Sequence, residues 1–582
     1  MHFPRRRSNG PGLGAAPRRL LALALAASSA SGALASCIPR GEPKIGAVAS
    51  ETDVCSRVGT KLLRRGGNAV DAVVGTVACV GTIGMYHSGI GGGGFMLVRA
   101  PNGTHEFVDF RETAPAAAFE DMYKDNPSGS QRGGLASGVP GELRGLEYAH
   151  KKYGKMSWRD VLAPAIKLAR DGFTVNADLI KYMDSVVSAP GAGGFFEEDP
   201  NWAEDFAPTG RRVRLGETMT RKRLAGTLET IAEHGAGAFY TGAIANATIA
   251  ALRAANGTMT LADLANYTVA VRAPSEIEYR GYKVRSCSAP SGGVVALSTL
   301  NILKGYADFG APQNVNRSAQ HLNEAMRFAY AQRTKLGDPS FVPGLDAYQA
   351  GMLSAATAAE VRGKIKDERT FGTEYYDPDR LESLETPGTS HIATVDASGM
   401  AVSLTTTINL VFGSRLMVPE TGVIMNDQMD DFSVPGRSNA FGYAPSPANF
   451  IRPGKRPLSS MSPVIVEVEG ESGRRPYLVV GAAGGSRIIT STVQNVIHVL
   501  DGGKTVAQAL AMPRLHDQLV PAVTTFEWAY DNSTVAYLKD LGHNVSWVAP
   551  GQSVAQGVRW LLNGTFEAAG EPRLKSSGGY AV

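Results

Sequence analysis

Apolar positions follow two regimes along this 582-residue chain. In the first half they recur with helical spacing between short apolar runs. Over residues 158–170, for example, Val161, Leu162, Ala165, Ile166 and Leu168 share one face and predict an amphipathic helix. Two helices joined by a Gly66-Gly67-Asn68 turn are predicted on either side of Gly67, and Phe95-Met96-Leu97-Val98 reads as a strand. From residue 389 onward strands dominate, at 391–395, 400–409, 464–468 and 477–480, followed by a helix over 488–500. Two polar stretches interrupt the pattern. Residues 187–216, with Gly191-Ala192-Gly193-Gly194, read as a surface excursion, and residues 366–388, rich in Asp, Glu, Pro and Gly, as an exposed linker. There is no repeat, heptad run or low-complexity tract.

The strands at 391–395 and 400–409 flank Asp396-Ala397-Ser398-Gly399 and predict a hairpin. A loop centred between Ala397 and Ser398 pairs positions whose numbers sum to 795, so Thr389 faces Thr406 and lies within one residue of Thr407. Hydroxyls then cluster at the open end. A threonine that attacks the carbonyl of its own preceding peptide bond, here Gly388–Thr389, becomes a chain terminus carrying both a hydroxyl nucleophile and an α-amine base, which titrates near about pH 8. The competing reading of Pro387-Gly388-Thr389 is a loop entering a hairpin.

Composition narrows the classes. The formal charge is +4, but residues 1–35 contain Arg5, Arg6, Arg7, Arg18 and Arg19 and no acid, leaving 53 basic against 54 acidic residues in the remainder. That near-neutral body gives no basic face, so nucleic acid is not an expected partner. The arginines precede Leu20-Leu21-Ala22-Leu23-Ala24-Leu25-Ala26-Ala27 and a small-residue end at Ala33-Leu34-Ala35, the three parts of a secretory signal. An uncleaved N-terminal anchor and a twin-arginine export signal are the alternatives. Eight Asn-x-Ser/Thr sequons, at Asn102, Asn246, Asn256, Asn266, Asn316, Asn532, Asn544 and Asn563, fit a secretory glycoprotein that is extracellular, at the cell surface or vacuolar. Of four cysteines, Cys55 and Cys79 lie 12 residues either side of Gly67 and stand at one height of the helical hairpin, which predicts a disulfide against the alternative of two buried thiols. Cys287 has no evident partner, Cys37 falls just inside the expected mature terminus, and with no Cys-x-x-Cys a metal cluster is not expected.

Downstream of Thr389 the chain carries Gly388-Thr389-Ser390-His391, Thr407-Ile408-Asn409, Phe412-Gly413-Ser414, Met429-Asp430-Asp431-Phe432, Pro457-Leu458-Ser459-Ser460-Met461 and Gly481-Ala482-Ala483-Gly484-Gly485. These blocks, in this order, resemble the catalytic chain of the γ-glutamyltransferases, which are N-terminal-nucleophile hydrolases. Ser88-Gly89-Ile90-Gly91-Gly92-Gly93 and Arg111-Glu112-Thr113-Ala114-Pro115 resemble blocks of the same family's larger subunit. The resemblance implies an α+β fold of two stacked antiparallel sheets between helix layers, αββα, built from two fragments of one cleaved precursor. Residues 1–35 would be a leader, 36–388 a large subunit and 389–582 a small catalytic subunit.

By the same resemblance Thr389 is the nucleophile, Thr407 orients it, and the Gly484-Gly485 amides form an oxyanion hole, in agreement with their place between an apolar strand and a helix. Arg111 with Ser459 and Ser460 would hold the α-carboxylate of a γ-glutamyl group, and Asn409, Gln428 and Asp431 its ammonium. Gln428 departs from the many animal members that have Glu there and matches bacterial ones. Residues 433–456 resemble a lid loop in which Tyr443 closes over the pocket. The implied substrates are glutathione and other γ-glutamyl compounds, with water, amino acids or dipeptides as acceptors and no cofactor or metal. A related acylase acting on a glutaryl-like side chain, as in cephalosporin acylases, and a silent secreted binding glycoprotein are the alternatives. Gly89-Ile90-Gly91-Gly92-Gly93-Gly94 satisfies G-x-G-x-x-G, but a helix precedes it and a strand follows, the reverse of a dinucleotide site. Close packing of core sheets explains these glycines better.

Overall fold

The computed structural model describes residues 44–582 apart from 190–192, 382–387, 437–443 and 471–472. The predicted leader, Cys37, Pro387 and Tyr443 lie outside the described residues. Two sheets form the centre. In chain order their strands are β1 (Gly46–Ser50), β2 (Gly93–Arg99), β3 (His105–Phe110), β4 (Ala270–Arg272), β5 (Ser275–Tyr279), β6 (Tyr282–Ser286), β7 (Ser390–Asp396), β8 (Ala401–Thr407), β9 (Val464–Gly470), β10 (Gly473–Ala483), β11 (Val554–Trp560), β12 (Phe566–Ala569) and β13 (Gly578–Ala581). A seven-stranded sheet runs β13-β1-β7-β8-β2-β3-β4 and a six-stranded sheet β12-β11-β10-β9-β6-β5. Every neighbouring pair is antiparallel.

The sheets pack face to face with β7 and β8 over β10, and the Ser403 hydroxyl donates across the gap to Val480 O at 3.4 Å. Both faces of β7 and β8 are covered, so every residue of these strands is buried and they read as continuous runs rather than alternating ones. Outside the seven-stranded sheet lie α1 (Asp53–Arg64) and α2 (Ala69–Ile83), backed by α3 (Trp158–Asp171). Outside the six-stranded sheet lie α4 (Gly293–Leu303) and α6 (Arg487–Leu500), with α5 (Val315–Arg333) packed on α4. This is the expected αββα order, and both sheets take strands from either side of residue 388: they interleave in the seven-stranded sheet, while in the six-stranded one β5 and β6 add to the edge at β9.

The helical hairpin ahead of the glycine run is set locally. Asn68 Oδ1 accepts from the backbone N–H groups of Val70 and Asp71, and Asp71 Oδ2 accepts from Asn68 N, a reciprocal cap worth about 1 kcal/mol. All but one residue of α2 is buried, because a sheet covers one side and α3 another. Cys55 and Cys79 form the expected disulfide, with Cα atoms 5.4 Å apart, and Cys287 is a buried free thiol. The glycines that follow α2 admit backbone where a side chain would clash: a Cβ on Gly92 would lie 2.0 Å from Thr407 O.

Four expectations need correction. Pairs in the β7–β8 hairpin sum to 796, not 795, since Ala401 pairs with Val395 and Thr406 with Ser390. The loop is the three residues Ala397-Ser398-Gly399 with Gly399 left-handed at φ +84°, and this extra residue moves the register by one. Second, β8 ends at Thr407, and the chain leaves the sheet through Asn409 at φ +72°. Third, the segment read as a surface excursion contains the helices Phe195–Glu198 and Pro200–Phe206, which bury Phe196, Trp202 and Phe206 around Phe412. Its aromatic content outweighs its glycines. Fourth, the linker is not exposed throughout: Tyr376 is buried with its hydroxyl on the Glu324 carboxylate, and Gly388 and Thr389 are buried.

Candidate active site

Thr389 stands one residue outside the last rung of the hairpin, so the register places it opposite Thr407. The chain is continuous through Gly388–Thr389. The Thr389 hydroxyl donates to Gly388 O at 2.6 Å, and the Thr407 hydroxyl donates to the same oxygen at 2.5 Å. Asn409 N donates to Thr407 Oγ1 at 2.7 Å, which occupies that oxygen as an acceptor and turns its proton toward Gly388. Gly388 itself has φ +139°, and a Cβ there would lie 1.9 Å from Asn409 O. The peptide bond ahead of Thr389 is thus held by two hydroxyls on its carbonyl oxygen, in a place only glycine fits.

Buried polar groups brace the strands below. The His391 ring bonds Thr405 Oγ1 at 2.9 Å and lies against Gly481, where a Cβ would come within 2.4 Å of the ring. Burial pushes this imidazole down to about 3, so it is neutral. Thr406 donates to the Glu142 carboxyl group and meets Ser88 Oγ at 3.0 Å. Burial drives Glu142 well above the usual carboxylate range. Beyond Gly481, β10 ends at Ala483 and α6 begins at Arg487. Between them, among the described residues, neither the Gly484 nor the Gly485 N–H donates to a protein acceptor. Their carbonyls cap the helix by accepting from Arg487 N and Ile488 N.

The charged part of the site is assembled from distant segments. Arg111, at the end of β3, is buried and pairs with Asp431 through Nη2, while its Nη1 lies 3.9 Å from Glu112 Oε2. Gln428 Nε2 donates to the same Asp431 oxygen, Oδ2, at 2.6 Å. Asp431 Oδ1 and Gln428 Oε1 are buried and, among the described residues, accept no hydrogen bond. Burial raises Glu112 to about 8 despite Arg111 beside it, which leaves it a neutral acid at pH 7. Asn409 Nδ2 is committed to Asp427 O at 2.9 Å. Ser459 Oγ accepts from Met461 N at 3.1 Å and Ser460 Oγ from Arg333 Nη2 at 3.1 Å. Arg111 and Asp431, expected to grip opposite ends of a ligand, therefore hold one another in the uncut chain. Among the described residues no group of three or more His, Cys, Asp or Glu is arranged to hold a metal.

Residues 55–581 match the model of the gamma-glutamyltranspeptidase family. The chain belongs to that family. It is 56% identical over 555 residues to a glutathione hydrolase proenzyme of Arthroderma benhamiae, covering 93% of each chain. It is 52% identical over 541 residues to a glutathione hydrolase of Aspergillus flavus, covering 92% of this chain and 90% of that one. Among solved structures it is similar to a cephalosporin acylase from Bacillus halodurans, with TM-score 0.79 and 26% identity, covering 93% of this chain and 96% of the other. A Helicobacter pylori gamma-glutamyltranspeptidase matches with TM-score 0.50 and 31% identity, over 55% of this chain and 92% of that one.

Three residues packed into the candidate site escaped the sequence reading. Asn426 ties the glycine run to the charged loop: its Nδ2 donates to Gly91 O and Gly138 O, and its Oδ1 accepts from Gly138 N and Gln428 N. Asp427 caps Leu410 N, and burial raises its carboxyl well above the ordinary range. Arg333 closes α5. The only local signal for the first two was an unbroken polar run, Asn426-Asp427-Gln428, after apolar Val423-Ile424-Met425. Arg333 carried none, because a basic residue at a helix end is the ordinary partner of the helix dipole.

Proposed function

We propose that this protein is an exported proenzyme that cuts itself between Gly388 and Thr389 and then transfers γ-glutamyl groups, with glutathione and its conjugates as donors and water, amino acids or dipeptides as acceptors. The observation that carries the substrate class is the pair of unsatisfied buried acceptors, Asp431 Oδ1 and Gln428 Oε1, beside Arg111. An α-ammonium supplies the donors those acceptors lack, and an α-carboxylate takes the guanidinium in exchange for Asp431. A glutaryl group has the terminal carboxylate but no ammonium, and it would leave both acceptors bare. The relatives' names, glutathione hydrolase, point the same way.

The chemistry follows from the hydroxyls. In self-cleavage Thr389 Oγ1 bonds to the Gly388 carbonyl carbon, its proton passes to the Thr389 nitrogen as the C–N bond breaks, and water hydrolyses the resulting ester. Residues 389–582 then form the small catalytic chain and residues 36–388 the large one, held together by the two sheets they share. In turnover the new α-amine takes the hydroxyl proton, Thr389 Oγ1 attacks the γ-carbonyl, and the proton goes to the leaving amine. The Gly484 and Gly485 amides face the developing oxyanion. Water or an acceptor amine releases the glutamyl group from the ester.

Purified protein separates the readings. A denaturing gel is expected to show two bands, the smaller beginning Thr389-Ser390-His391, and Thr389→Ala to leave one uncut, inactive chain. A single band from the wild type supports a silent binding protein. Turnover of a glutaryl anilide in place of the γ-glutamyl anilide supports the acylase reading.

A further inference from the structure

Helix α5 carries two polar side chains, three residues apart on one face, into the floor of the site. The Tyr330 hydroxyl donates to Ser486 O, next to Gly484-Gly485, and the buried Arg333 donates to Ser460 Oγ at 3.1 Å. A guanidinium only donates. The Ser460 oxygen must therefore act as acceptor toward Arg333, and its own proton is directed to another acceptor. The neighbouring Ser459 is in the same state, since its oxygen accepts from Met461 N. The backbone leaves this pair little freedom: Ser459 N donates to Pro290 O at 2.8 Å, and Met461 O accepts from Gly292 N at 2.8 Å and from the Ser291 hydroxyl at 2.7 Å. With both oxygens engaged as acceptors, the two adjacent hydroxyls keep their protons to donate, which suits an anion. Arg333 belongs electrostatically to the same centre, because burial lowers its affinity for its proton, Arg111 lowers it further and Asp431 opposes both.

We propose that Arg333 is a positioning residue for the α-carboxylate of the γ-glutamyl donor, acting through Ser460 by holding that hydroxyl as an obligatory donor. The inference rests on the γ-glutamyl reading above. It also adds a second buried positive charge to that of Arg111 at the carboxylate end.

The test compares two donors, γ-glutamyl anilide and the same anilide with its α-carboxylate converted to a carboxamide. Arg333→Gln is expected to raise KM for the first by about 10- to 100-fold, the worth of one hydrogen bond to a charged group, with kcat little changed. The carboxamide donor should lose less than about threefold in kcat/KM, since a neutral amide gains little from the charge. Arg333→Lys is expected to restore part of the loss. In a Ser460→Ala background the Arg333→Gln effect should shrink, because the hydroxyl it acts through is gone. Equal losses on both donors, or an unchanged KM, overturn the proposal while leaving the enzyme reading intact. A wild type that turns over neither anilide overturns both. If Arg333→Gln does not process into two chains, Arg333→Lys and Ser460→Ala carry the comparison, and a loss shared equally by both donors again overturns it.

Discussion

Thr407 and Thr389 stand opposite one another past the last rung of a β hairpin, and both hydroxyls donate to one oxygen, that of Gly388. In the proposed self-cleavage the carbonyl under attack is thus polarised by Thr407, the residue proposed to orient the Thr389 hydroxyl. Thr407→Val keeps the β-branched shape and removes one donor. Self-cleavage is expected to slow by about 100-fold, as for loss of one oxyanion donor, while Thr407→Ser stays close to the wild type. The rate is read from the appearance of the fragment beginning at Thr389, and wild-type kinetics in Thr407→Val would remove that hydroxyl from the reaction.

Gly388 is predicted to tolerate no side chain. Its φ of +139° and the 1.9 Å approach of Asn409 O to a built Cβ mean that Gly388→Ala must shift the strand end or the Asn409 turn. Backbone strain of this kind costs about 1–3 kcal/mol, and relieving it moves the carbonyl off the two hydroxyls. The expected outcome is a folded chain, slightly lower in melting temperature, that remains a single band on a gel. Full processing of Gly388→Ala at the wild-type rate would contradict the geometry.

Asp431→Asn tests the proposal that Asp431 holds the donor's ammonium. The carboxylate accepts from Arg111 and Gln428 and keeps one oxygen unsatisfied, so neutralising it weakens the ligand contact and strips Arg111 of its closest counter-charge. Breaking one partner of a buried charged pair costs about 2–5 kcal/mol, so kcat/KM for a γ-glutamyl anilide should fall by at least about 30-fold, mostly through KM. An unchanged KM would move the ammonium elsewhere.

The parts of this site that could be read from the chain are the local ones. The hairpin, the hydroxyls at its mouth and the Cys55–Cys79 bridge each follow from spacing over a few dozen residues. The register slipped by one because Gly399 turns a two-residue loop into three, a choice of turn that alternating apolar residues do not encode. The charged centre was legible only through family resemblance. Arg111 and Asp431 are separated by 320 residues, and a lone arginine after a strand reads as a surface group until the fold buries it. Arg333 and the aromatic residues of the 195–206 segment were masked by their contexts, a helix end in one case and glycine-rich flanks in the other.

Five buried histidines weaken the fold as the pH drops. Burial holds His105, His391, His516 and His543 down to about 3 and His498 to about 4. In the unfolded chain each takes up a proton near about pH 6.5. Between those values these rings bind more protons in the unfolded state than in the folded one, so their contribution to stability is complete above about pH 6.5 and falls as pH drops through that window. Each histidine contributes up to about 1.4 kcal/mol per pH unit once well below 6.5. Glu112, Glu142 and Asp427, whose carboxyls burial raises, act in the opposite sense over the same window, because the folded state holds their protons. The histidine contribution is therefore read as a difference: between pH 7 and pH 5 a His391→Gln variant is expected to lose about 2 kcal/mol less than the wild type in denaturant unfolding. Equal losses in the two proteins would mean that this ring titrates normally in the folded protein.

The disulfide links stability to the site by a traceable route. Cys55 and Cys79 sit in a buried cluster with Tyr86, Ile408 and Phe412, and the backbone oxygens of Tyr86 and His87 accept from Phe412 N and Ile408 N, at 3.0 Å each. The α1–α2 hairpin therefore supports the turn that carries Asn409 away from Thr407. Closing a 24-residue separation restricts the unfolded chain by about 3 kcal/mol in the loop-entropy account, so the Cys55→Ala/Cys79→Ala double variant should lose about that much. At low temperature the native packing persists, and KM for the γ-glutamyl donor should be close to the wild-type value. As the melting range is approached, self-cleavage should fail before secondary structure is lost, because the turn loosens before the sheets separate. Processing yield and circular dichroism followed along one temperature series separate the two events. Their coincidence would show that the bridge stabilises the whole fold without a particular hold on the Asn409 turn.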